Sequence, residues 1–163
     1  RLMPAAFETL TVIDWVYLEA APSDIGSRYI FGFYHKGEPP AYAKIGGTST
    51  DIGTGQANTK VLVDAMGTTA YTFSYPSSTT ADYAARLCDI QEAGGYDDWF
   101  LPSKDELNQM YINLHIQDPS LGGFSDYYYW SSSETNKAGR GTGTSLMGVR
   151  TANIDTTISG SGL

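Results

Sequence analysis

The string GYDDWFLPSKDELNQMY, residues 95–111, constrains the fold more than any other part of the chain. Gly94 and Gly95 end whatever precedes them, and Asp97 and Asp98 suit the turn that follows, because Asp side chains bond their own backbone there. Trp99, Phe100 and Leu101 read as a short buried strand. Pro102 stands just before Ser103, and Glu106 follows three residues later, the pattern of a capping box. Leu107, Met110, Tyr111 and Leu114 then fall at i, i+3, i+4 and i+7, so the helix is expected to bury Leu107, Tyr111 and Leu114. Ser103, Asp105 and Glu106 need no ligand to explain them. Exposed amides and the helix dipole favour oxygen and negative charge at a helix start.

Two more helices are legible. Asn58 or Thr59 can cap the first, with Leu62, Ala65 and Met66 on one side and Gly67 as the stop. The second runs over about 80–93, with Ala84, Leu87 and Cys88 on one face. Strands are expected at WVYLEAA, residues 15–21, and at RYIFGFYH, residues 28–35. Between them and the first helix, KGEPPAYAKIGGTSTDIGTGQ reads as loop, broken by Pro39, Pro40 and glycines. A second unusual string, YYYWSSSE, covers residues 127–134. It reads as a turn and a strand, with Tyr127 and Tyr129 on one side and Tyr128 and Trp130 on the other. The expected fold is a single α+β domain, a small, mainly antiparallel sheet with about three helices.

Charge narrows the function. The 163 residues carry a net charge of −8. That argues against nucleic acid and against an anionic membrane as partner. No run of about 18 apolar residues is present, so no membrane-spanning helix is expected. Residues 1–15 lack the pattern of a signal peptide. The chain opens on Arg1, not Met, so a fragment or a processed product is expected. Cys88 is the only cysteine, which excludes an internal disulfide and a cysteine-based zinc site. It sits on an apolar helix face and reads as core.

No residue reads as catalytic and none as a metal ligand or cofactor holder. His35 and His115 are isolated. A glycosidase needs two opposed carboxylates, and Asp98 with Glu134 is the pair to consider. GTGQANT lacks the Lys-Ser/Thr of a phosphate loop and reads as a turn into a helix. The candidate ligand-binding residues are Tyr127, Tyr129, Ser132, Glu134 and Asp98. Tyrosine faces beside small polar groups are a common way to hold sugars, and a turn that closes the sheet accounts for the same serines and Glu134.

YLEAAPSD (17–24), GGTSTDIGTGQANT (46–59), AARLCD (84–89), GYDDWFLPSKDELNQMY and YYYWSSSE together resemble the C-terminal domain family of the Legionella collagen-like protein. The resemblance covers 15–136. It implies a bacterial surface or secreted domain with a C-type-lectin-like fold, distantly similar to formylglycine-generating enzymes. It implies a non-enzymatic adhesin-type module for carbohydrate or host surface molecules, and a possible homotrimer on a stalk. The alternative is a structural trimerising or capping tip without a small ligand. The type protein of that family binds sulfated glycosaminoglycans. Here the acidic charge disfavours such a ligand unless Arg28, Lys36, Lys44 and Lys104 cluster, so a neutral glycan is the expected one.

The ends depart from that resemblance. Residues 1–14 form a divergent N-terminal segment. Residues 137–163 form a divergent tail with no aromatic residue after Trp130, although the chain is 13% aromatic. A shifted reading frame after about Lys137 would explain this. From about Thr135 onward the expectation is loop, poor packing and few long-range contacts.

Overall fold

A computed structural model describes residues 16–27, 29–31, 45–68, 71–72, 79–117, 124, 128–134 and 145–153. In chain order they form β1 (Val16–Ala20), β2 (Gly26–Ser27), α1 (Gly55–Met66), β3 (Tyr71–Thr72), β4 (Thr79–Thr80) and α2 (Ala84–Asp89). There follow α3 (Lys104–Met110), a π-helix (Tyr111–Ile116), β5 (Ser145–Leu146) and β6 (Val149–Asn153). The fold is α+β, as expected. The strands pair antiparallel as β1 with β6, β2 with β5 and β3 with β4. Among the described residues no helix is long and apolar enough to cross a membrane.

The tail corrects an expectation. β6 pairs with β1 over its whole length, from Val16 opposite Asn153 to Ala20 opposite Val149. On its other side Val149 exchanges both backbone hydrogen bonds with Phe100, at 2.7 and 2.9 Å. So β6 lies between β1 and the Trp99–Phe100–Leu101 segment, and Met147 and Val149 are fully buried. Residues 145–146 and 149–153 are paired strands and 147–149 are buried, where loop was expected. Backbone pairing and two inward aliphatic side chains suffice where no aromatic is present. Residues 135–144 and 154–163 lie outside the described residues, as do His35 and most of RYIFGFYH.

Two apolar clusters make the core. The first joins α1 and α2 through Leu62, Met66, Tyr83, Ala84, Cys88, Leu101 and Trp130. The second joins β1, β6 and α3 through Ala21, Trp99, Phe100, Met110, Met147 and Val149. Trp99 and Trp130 are both buried, as expected. Their indole N–H groups are satisfied internally, Trp99 by Tyr96 O at 3.1 Å and Trp130 by Tyr29 O at 3.0 Å. Burial also pushes the Cys88 thiol pKa up and keeps it protonated.

The helices keep some expectations and correct others. α3 starts at Lys104, and its capping box is complete. Ser103 Oγ accepts from Glu106 N at 3.3 Å, and Glu106 Oε2 accepts from Ser103 N at 2.7 Å. The apolar stripe beyond it shifts. Met110 is buried, Leu107 and Leu114 are partly buried, and Tyr111 is 46% exposed. The buried face of α3 runs through Glu106 and Met110, one position before the expected stripe, and a wider-turned π-helix follows from Tyr111. α1 begins at Gly55, ahead of both expected caps, and Ala65 is exposed. α2 is shorter than 80–93, because Thr79 and Thr80 pair with β3 and the helix stops at Asp89. Among the described residues of the YYYW string, 128–130, Tyr129 makes a β-bridge and Tyr128 and Trp130 do not. Tyr128 is 73% exposed and Trp130 is buried, so these two do not share a side.

Candidate functional site

Glu106 organises the site region. Its carboxylate is fully buried and reaches two helix starts at once. Oε2 closes the α3 capping box, and Oε1 accepts from Gly53 N at 2.7 Å and Gly55 N at 3.4 Å at the start of α1. Thr54, the N-cap residue of α1, makes no cap bond with its own side chain. The cap therefore comes from Glu106, far along the chain. Two helix N-termini stabilise the buried negative charge, and charge-assisted bonds satisfy it. Gly55 makes the approach possible, because a Cβ there would meet Glu106 Oε2, Phe100 Cε2 and Ser103 N.

The loop 45–54 is fastened by the YYYWSSSE string. Glu134 Oε1 and Oε2 accept from Ile45 N at 2.9 Å and Gly46 N at 2.7 Å. Ser133 Oγ donates to Ser49 O at 2.8 Å and accepts from Lys104 N at 2.9 Å. Ser132 is fully buried, donates its N–H to Pro102 O at 2.8 Å and accepts from Asn58 Nδ2 at 3.2 Å. Asn58 and Thr59, expected as caps, instead sit buried inside α1. Asn58 Oδ1 holds Ser49 N at 2.9 Å, and Thr59 Oγ1 accepts from Leu101 N at 3.0 Å.

The five sequence candidates thus separate. Ser132 and Glu134 serve the scaffold through the bonds just given. The Tyr129 hydroxyl donates to the Asp24 carboxylate at 2.9 Å. Tyr127 lies outside the described residues, as do Arg28, Lys36 and Lys44. Asp98 accepts from Arg150 Nε at 2.8 Å, and Arg150 also pairs with Glu19 at 2.6 Å. The same guanidinium lies 3.6 Å from the centre of the Tyr96 ring. Its hydrogen bond to Asp98 first, and that to Glu19 second, push the Arg150 pKa further up.

Asp98 also lines a groove of about 530 Å³, the size range of small-ligand sites. One wall is α1, through Gln56, Ala57, Thr59, Lys60, Val63 and Asp64. The other is Asp97, Asp98, Trp99 and Phe100, with Asp89 from the end of α2. Four carboxylates face one ammonium. Lys60 Nζ is bound to Asp64 at 2.8 Å, a hydrogen bond that raises the Lys60 pKa. Among the described residues no three His, Cys, Asp or Glu side chains stand close enough to hold a metal ion. Sequence reasoning weighed Asp97 and Asp98 but missed Gln56, Lys60, Asp64 and Asp89. The traceable signals were the Lys60–Asp64 spacing of four on a helix and the Asp97–Asp98 doublet. Nothing in either window shows that α1 stands across from the other. No family model, no curated protein and no solved structure matches the chain.

Proposed function

We propose that this chain is a non-enzymatic binding module of the adhesin type, with a neutral carbohydrate as ligand, held in the groove between α1 and residues 97–100. The observation that carries this reading is the groove itself, of ligand size, with four aspartates, Gln56 and Lys60 set among Ala57, Val63, Trp99 and Phe100. Carboxylate and amide oxygens accept hydrogen bonds from sugar hydroxyls. The four aspartates outnumber the two cations bound to them, Lys60 and Arg150, and this negative balance disfavours a sulfated or phosphorylated chain over a neutral one.

Two further points support it. The resemblance read from the sequence points to a bacterial surface or secreted adhesin domain, and we carry that placement and the C-type-lectin-like fold as part of the proposal. The carboxylate pair weighed for glycoside hydrolysis is divided. Glu134 spends both oxygens on backbone amides, and Asp98 is paired with Arg150. A glycan array of neutral, sialylated and sulfated oligosaccharides, read beside light scattering for a trimer, tests the reading. Binding to neutral glycans alone is expected. A trimer that binds no glycan would favour the structural tip instead, and selective binding of sulfated glycans would refute the groove.

A further inference from the structure

We infer that Glu106 is a positioning residue for the groove, a role that rests on the proposed function above. Its side chain does not line the groove. It acts through α1, whose start it holds by Gly53 N and Gly55 N. The next residues, Gln56 and Ala57, are groove wall, and Lys60 follows one turn later. The opposite wall, residues 97–100, ends one residue before Leu101, which Thr59 ties to α1. The groove therefore has two fastenings, one at Thr59 and one at Glu106.

The sequence of contacts is continuous. The Ser103 N–H fixes Oε2, the rigid carboxylate fixes Oε1, and Oε1 fixes the first turn of α1. A capping box alone needs only the first of these links. The second link buries a charge and demands glycine at position 55, since a side chain there would strike Glu106, Phe100 and Ser103. That local demand is met by a geometry that sets where Gln56 and Lys60 stand relative to Asp97 and Asp98. Binding groups held by locked neighbours bind more tightly than loose ones.

The test compares Glu106→Gln with Tyr83→Phe. Tyr83 OH donates to Gly67 O at 2.8 Å, so its loss disturbs the opposite end of the same helix. Amide NMR maps of the free proteins come first, followed by calorimetric titration with cellobiose, lactose and chitobiose at a temperature where each variant is folded. Glu106→Gln is expected to move the Gln56 and Ala57 amides and to weaken binding of these probes by roughly tenfold (about 1.4 kcal/mol). Tyr83→Phe is expected to leave both in place. If Glu106→Gln does not fold, Glu106→Asp, which keeps the charge and shortens the reach, takes its place. Shifts confined to 103–106, unchanged binding, or equal loss in Tyr83→Phe would overturn the inference. If the wild type binds none of the probes, the proposed function fails, and the amide map alone decides whether Glu106 positions α1.

Discussion

Replacing Gly55 by Ala should destabilise the chain although it places a better helix former in a helix. Intrinsic propensity favours Ala by at most about 1 kcal/mol, and less at a first helical position. Against this, the added methyl would lie 2.8 Å from Phe100 Cε2 and 2.9 Å from Ser103 N, and closer still to Glu106 Oε2. Phe100 is buried and Ser103 N is backbone, so neither can swing away. Overpacking of this kind costs about 1–3 kcal/mol. If the carboxylate moves instead, a hydrogen bond to a charged group is lost, worth about 1.5–3 kcal/mol. The net expectation is a loss of about 2 kcal/mol, or roughly 4–8 °C in Tm for a domain of this size. Urea unfolding followed by tryptophan fluorescence would read it as a lower midpoint with an unchanged slope. Gly53→Ala is the control. Its φ of 87° disfavours a side chain, yet nothing lies within 4 Å, so it should lose only about 1–2 kcal/mol. A Gly55→Ala midpoint equal to or above wild type would refute the packing of α1 on Glu106.

Other outcomes follow from the same contacts. Ser103→Ala should lose about 1 kcal/mol with the cap, read by the same urea assay; retained stability with lost glycan binding would reassign Ser103 to the ligand. Thr59→Val should lose about 1–3 kcal/mol, because the buried Leu101 N–H loses its acceptor; thermal unfolding checks it. Cys88 should resist iodoacetamide until the chain unfolds, followed by mass spectrometry. With its folded pKa raised, the thiol contribution is fully present below the unfolded pKa of about 8.5 and is lost as pH rises above it, as the unfolded thiol ionises. Cys88→Ala should flatten that alkaline decline.

Local signals carried the parts of the fold that local chemistry decides. The α3 start was legible because Ser103 and Glu106 complete a cap within one turn. Gly67 was legible as a stop, its φ of 56° and its N–H bond to Val63 O being what a glycine after a helix supplies. The α1 start was not legible, because its cap comes from Glu106, distant in sequence. Tyr111 was misplaced because the buried face of α3 follows Glu106, whose carboxylate is held inside, and so presents Met110 inward in place of Tyr111. β6 was missed because it lies in a stretch of glycine, serine and threonine, and its order comes from pairing with β1 and Phe100. Of the site, Asp98 was legible from its turn. The groove was not, since it exists only where α1 stands across from Asp97 and Asp98. Ser132 and Glu134 looked like ligand contacts for the same reason that they make good scaffold, as polar groups at the end of a strand.

A crystal structure grown in the presence of a neutral oligosaccharide tests the central claim most directly. The account predicts sugar density between α1 and residues 97–100, with hydroxyls bonded to Gln56 and to the Asp97 or Asp98 carboxylate. Sugar held elsewhere, such as against Tyr129, or a groove left empty at saturating sugar, would contradict it.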